Sequence, residues 1–178
     1  MAAAVFPDNT VLCNFAAVHR LDLLEAWLRG RGRWTEAVAN EARRSSRALP
    51  DLTTLPSGGW LGEPIELDGD EVAARIEHIR RDVFGGTRDA PLQHLGEAQT
   101  CWLLKESAEW REAWWVSDDR DALDFARKQG ITTRETLDIM SAIVADGDLT
   151  AQQGHLLMLE MVSADRQLRL PKTPGGFQ

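Results

Sequence analysis

Apolar positions along the chain fall into short runs that alternate with helical stripes. Residues 2–6 form an apolar run closed by Pro7, which reads as a first strand, and Asp8 follows directly. Over 9–18, Val11, Leu12, Phe15 and Val18 recur at helical spacing; Leu21, Leu24 and Leu28 mark a second helix over 21–28, ended by Gly30 and Gly32. Arg33 and Trp34 read as a brief strand, and Thr35 as the N-cap of a helix over 36–47. Prolines and glycines from Pro50 to Pro64 mark a long loop, with strand fragments at 60–61 and 65–67. Asp68 or Asp70 caps a helix over 71–84 carrying the stripe Val72, Ile76, Ile79 and Val83. Beyond Gly85 and Gly86 the pattern predicts a helix over 96–106, a tryptophan-rich strand over 112–116, a helix over 119–129, a short strand at 131–132 and a helix over 133–145. Thr150 caps a last helix that runs to about 164. Short strands alternating with helices predict an α/β fold, a short parallel sheet covered by helices. One domain over 1–164, most elaborated at 51–90, and a loose tail over 165–178 complete the organisation.

Composition narrows the functional classes. With 43% hydrophobic and 27% charged residues in 178, the chain can bury a full core. The first residues lack the basic region of a signal peptide, and no apolar run is long enough to span a bilayer, so the expectation is a cytoplasmic protein with no membrane partner. Cys13 and Cys101 lie in apolar helical patterns and read as buried small hydrophobes; four scattered histidines provide no zinc spacing. The net charge of −8 is opposite to that of broadly electrostatic nucleic-acid binders. Any such contact is therefore local, at patches such as Arg29–Arg31–Arg33, Arg43–Arg44–Arg47 or Arg80–Arg81–Arg88, each of which by itself reads as a solvated face. Among the seven tryptophans, Trp27, Trp102, Trp114 and Trp115 fall on apolar patterns and read as core, whereas Trp34 and Trp60 are better candidates for a contact surface.

The placing of the acids carries the chemistry. Asp8 follows the first strand, and Asp118 and Asp119 follow the strand ending near Ser117. In a parallel sheet the strand C-termini share one edge, where ligand sites form. Glu97, in the first turn of its helix, and Glu41, mid-helix, can face that edge as well. Clustered carboxylates suit Mg²⁺ or Mn²⁺, which activate water and neutralise a phosphate without a side-chain nucleophile. No nucleophile elbow, dinucleotide fingerprint or P-loop is present. Each acid also has a plainer reading: Asp8 and Asp119 as N-caps, Glu97 against a helix dipole, Glu41 as a solvated helical residue beside Arg43 and Arg44.

These segments resemble the PIN-domain family. Asp8-Asn-Thr-Val-Leu-Cys-Asn-Phe-Ala resembles its opening; Thr35-Glu-Ala-Val-Ala-Asn-Glu41, Leu95-Gly-Glu-Ala-Gln99 and Val116-Ser-Asp-Asp-Arg resemble its three later acidic motifs. The resemblance covers about residues 4–162 and implies a PIN-like three-layer α/β/α fold. By similarity to VapC-type toxins it also implies a metal-dependent endoribonuclease with an RNA substrate, an antitoxin protein partner and frequent homodimers. Carried over by motif, the catalytic and Mg²⁺- or Mn²⁺-binding residues are Asp8, Glu41, Glu97 and Asp119, with Asp118 as an alternative to Asp119 and with Asn9 or Thr10 in support. The chain departs from the pattern in having Glu97 where many relatives have Asp, Pro7 before the first acid, and a longer loop after Asp51. The same chemistry acts on DNA, and the sequence does not separate the two. A module that keeps the fold but binds without cutting is the competing expectation.

Overall fold

The computed structural model describes residues 3–177, so Ala2, which the sequence puts at the start of the first strand, lies outside the described residues. Three strands, β1 (Val5–Pro7), β2 (Trp114–Val116) and β3 (Thr132–Arg134), form a wholly parallel sheet in the order β1-β2-β3. Val5 pairs with Trp114, and Trp114 with Thr132. The helices are α1 (Asn9–Ala17), α2 (Leu21–Leu28), α3 (Glu36–Ser45), α4 (Leu55–Gly58), α5 (Asp70–His78), α6 (Leu95–Glu106), α7 (Arg120–Lys128), α8 (Thr136–Asp146) and α9 (Ala151–Ser163).

Alternate side chains of a strand point to opposite faces, and each face here has its own core. Val5 and Val116 join Phe15 of α1, Leu24 of α2, Val38 of α3, Ile139 of α8 and Met158 of α9. Phe6 and Trp115 join Cys101 and Leu104 of α6 with Ala122 and Ala126 of α7. The chain is therefore an α/β protein with helices on both faces of a small parallel sheet. No helix is long and apolar enough to cross a membrane among the described residues. Both cysteines are buried, and burial pushes the Cys101 thiol up to about 12.

Pro7 is accommodated because of where its missing N–H would point. Val5 donates to the Arg31 carbonyl on one side of β1, and Asp8 donates to the Val116 carbonyl on the other. Donors alternate along a strand, so the Pro7 nitrogen faces the side of residues 31–33, where pairing has ended at Gly32. The expected strand at Arg33–Trp34 is reduced to isolated bridges, Val5 to Gly32 and Thr35 to Ile65.

The structure departs from the sequence reading in four further places. Neither Asp68 nor Asp70 caps α5; Gly69 holds that position with φ 109°. The helix expected to run to 84 stops at His78 and gives way to a π-type turn over Ile79–Val83, which turns Arg80 inward and leaves Val83 exposed. β3 takes up residues assigned to the next helix, because pairing with all of β2 extends it to Arg134. The tail is docked: Leu168, Leu170 and Phe177 pack on the larger core, Pro171 is buried, and Arg169 pairs with Glu135 at 2.6 Å.

Trp34 is a core residue, 2% exposed, and its Nε1 donates to the Gly62 carbonyl at 2.9 Å. Trp60 is half-buried against the same core. Both tryptophans assigned to a contact surface are thus packing residues that tie the 58–62 loop to the body. Chemical denaturation should show Trp34→Ala losing about 3–5 kcal/mol of stability, with a smaller loss for Trp60→Ala. Parent-like stability of both would contradict the packing role.

Candidate functional site

Asp8 is set by the end of β1. Its amide donates to the Val116 carbonyl at 2.8 Å, so its backbone belongs to the sheet while its side chain stands over the C-terminal edge. The residue is 2% exposed. Its Oδ2 accepts from Thr10 Oγ1 at 2.8 Å and from Ser117 Oγ, at the end of β2, at 3.3 Å. Of the two polar residues after Asp8, Thr10 is the one that touches the acid; Asn9 donates to Ser45 Oγ at 3.2 Å.

Glu41 reaches the same edge from α3. Its Oε1 accepts from the Gly96 amide at 3.1 Å. A β-carbon at position 96 would lie 2.9–3.1 Å from the Glu41 carboxyl group, so this glycine makes room for the acid. Glu97, one residue on, is mostly buried and faces His94 Nδ1 at 3.4 Å. These three acids, with Arg44 and His94, line one open cleft of about 360 Å³.

The electrostatics are unfavourable without a cation. Burial, then the charge of Glu97, raises the Asp8 carboxyl well above its ordinary value; the Thr10 hydroxyl and the first backbone N–H groups of α1 only partly offset this. Burial, then the charges of Asp8 and Glu97, pushes Glu41 up to about 8, with weak opposition from the Gly96 amide and Arg44. Neither Asp8 nor Glu41 has an ion-pair partner among the described residues.

The acids after β2 are engaged elsewhere. Asp118 accepts from Asn14 Nδ2 at 2.8 Å, from the Thr136 amide at 3.0 Å and from the Thr136 hydroxyl at 2.5 Å. Burial, countered first by the Thr136 hydroxyl, raises it to about 6. It ties α1 to the start of α8, and Arg166 closes the network by donating to Asn14 Oδ1 at 3.2 Å. Asp119 is the N-cap of α7: its Oδ1 accepts from the Ala122 amide at 3.0 Å, while its own amide donates to Ser117 Oγ at 3.2 Å. It lines a separate, larger cleft with Asp118, Arg120, Glu135 and the tail. Of the four motif acids, Asp8, Glu41 and Glu97 line one cleft, and Asp119, which caps α7 through Oδ1, lines the larger one.

Among the described residues, no three acid, histidine or cysteine side chains are arranged to hold one metal ion jointly. A closed, protein-saturated ion does not fit here. Mg²⁺, however, keeps several waters and takes only one or two carboxylates. An open cleft with desolvated, mutually repelling acids matches that requirement. Ser117, Gly96 and His94 support the site without having been singled out as functional from the sequence. Gly96 left a trace there, as the small residue directly before the motif acid. No family model, curated protein or solved structure matches the chain.

Gly96→Ala should drive the Glu41 carboxyl out of its cradle at little cost in stability, because the clash is with the end of a flexible side chain. Calorimetry should then show weakened Mn²⁺ binding; unchanged affinity would remove Glu41 from the site. A second expectation concerns pH. The folded protein retains protons on Asp8 and Glu41 that the unfolded chain releases near pH 4 to 4.5. The unfolded state therefore binds fewer protons, and stability in EDTA falls as pH rises from about 4.5 to about 8. Denaturation at pH 5 and pH 8 should show this loss, and Glu41→Gln should flatten it. An unflattened slope would mean that Glu41 is not a source of the strain.

Proposed function

We propose that this protein is a PIN-like, Mg²⁺- or Mn²⁺-dependent endonuclease acting on RNA, the toxin half of a toxin–antitoxin pair. The observation that carries this reading is the meeting of Asp8, Glu41 and Glu97 from three separate elements at the C-terminal edge of a parallel sheet. All three line one open cleft, and among the described residues neither Asp8 nor Glu41 is ion-paired. The order of motifs and the helix-covered sheet support the family assignment.

Asp8 and Glu97 are the residues that would hold the ion, with Glu41 completing the negative field from the Gly96 side. When bound, Mg²⁺ or Mn²⁺ supplies hydroxide near neutral pH and neutralises charge on the phosphate under attack. The protein contributes position. Thr10 and Ser117 orient the Asp8 carboxylate through Oδ2, and the sheet holds its backbone. Gly96 fixes Glu41, and Arg44, exposed on the same cleft, offers a charge to a phosphate oxygen.

A second reading, a module that binds nucleic acid or protein without cutting, is favoured by two observations. Asp119 is committed to capping α7, and the described residues contain no three-ligand metal set.

Incubation of mixed-sequence RNA with the protein in Mg²⁺, in Mn²⁺ and in EDTA separates the two. Metal-dependent cleavage that falls by at least about a hundredfold in Asp8→Asn, with the fold retained, is the expected result. Absence of cleavage and of Mn²⁺ binding by folded protein would favour the binding module, and a matched DNA substrate decides the choice of sugar.

A further inference from the structure

Among the described residues, Arg80 is the most heavily committed polar side chain outside the acidic site. It is 1% exposed, and its guanidinium donates to five acceptors. Two are the oxygens of Glu77, at 2.7 and 2.8 Å. The other three are the carbonyls of Thr87 and Ala90, both at 3.1 Å, and Gln93 at 3.3 Å. The π-type turn at Ile79–Val83 exists where Arg80 swings inward. At Gly86 a β-carbon would lie 2.5 Å from Arg80 Nη1 and 3.0 Å from the Arg80 carbonyl, so the loop closes directly over the arginine.

Burying a guanidinium is costly unless all its donors are met, and ordering loop residues costs backbone entropy. What this outlay holds still is the segment 87–94, which ends at His94 with a left-handed backbone, φ 60°. Leu92, Gln93 and His94 line the acidic cleft together with Asp8 and Glu97. Leu92 is 51% exposed, the most exposed large apolar side chain among the described residues. A rigid loop that presents an apolar group and an amide beside a phosphate-cleaving site has the chemistry to receive a base: apolar contact for its face and hydrogen bonds for its edge.

We propose that the 87–94 loop is the base-contacting wall of this cleft, with Leu92 packing on the face of an unpaired base next to the bound phosphate, Gln93 bonding its edge, and Arg80 acting as the positioning residue for both. The assignment rests on the nuclease reading for the identity of the neighbouring group. A base inside a duplex keeps both faces stacked and is not available to Leu92.

The test measures fluorescence anisotropy of short unstructured RNA oligonucleotides, differing in one base, on the non-cleaving Asp8→Asn protein. Adding Leu92→Ala should weaken all of them by roughly three- to tenfold, the worth of partly burying one leucine. Adding Gln93→Ala should narrow the differences between bases. Arg80→Met and Gly86→Ala should reproduce both effects, and Arg80→Lys should restore part of the affinity lost in Arg80→Met. With Asp8 present, Mn²⁺ affinity should be unchanged in Leu92→Ala and Gln93→Ala. Oligonucleotide affinity that ignores Leu92 and Gln93, equal competition by a matched duplex, or absence of RNA binding overturns the proposal. Leu92-dependent binding without metal-dependent cleavage would sink the nuclease reading and leave the wall standing; cleavage with binding indifferent to Leu92 would do the reverse.

Discussion

The hydrogen bond from the Asp8 amide to the Val116 carbonyl, 2.8 Å long, is the last rung between β1 and β2, and the site is built outward from it. It holds a carboxylate at the sheet edge with only 2% of the residue exposed, where water cannot solvate it. Ser117, at the end of the neighbouring strand, can then reach the same carboxylate, and α1 starts from it. Burying the acid is unfavourable for the isolated fold. The surrounding elements make it more so, since α3 and α6 bring Glu41 and Glu97 to the same cleft.

The protein treats its buried acids in two ways. Asp118 is surrounded by neutral donors, two from Thr136 and one from Asn14, and works as a cross-brace between α1 and α8. Asp8 and Glu41 face other acids instead, and Glu41 receives a single amide hydrogen bond, from Gly96. A cross-brace is complete within the chain; a set of acids raised by burial and mutual repulsion is complete only with a cation or with protons. That contrast, more than the number of acids, separates a structural carboxylate from a candidate ligand.

Much of the candidate site was legible because strand ends can be read locally. The apolar run before Asp8 and the tryptophan-rich run before Ser117 place their following acids on one edge once the sheet is parallel. Glu41 and Glu97 were legible only through motif spacing, since nothing local to a helical glutamate says which way it faces. Asp119 shows the limit. An Asp after a strand and before a helix satisfies both a ligand pattern and a capping pattern, and the geometry of α7 gives it the cap. Arg80 read as one of a surface trio, because no periodicity reveals that a π-type turn will rotate it into the interior.

The sequence by itself determined the α/β alternation, the bounds of α2 and the caps Thr35 and Thr150, all of which depend on neighbours within a few residues. It also determined that acids would stand at the ends of β1 and β2. The tertiary structure alone decided that β3 extends to Arg134, that Trp34 is core, that the tail docks, and that Leu92, Gln93 and His94 of the 87–94 loop line the acidic cleft. Each of these depends on a partner distant in the chain: β2 for β3, the Gly62 carbonyl for Trp34, the larger core for the tail, Arg80 for the loop. Local propensity is silent there, because the free energy that decides each outcome comes from burial and hydrogen bonds formed only once the chain has closed on itself.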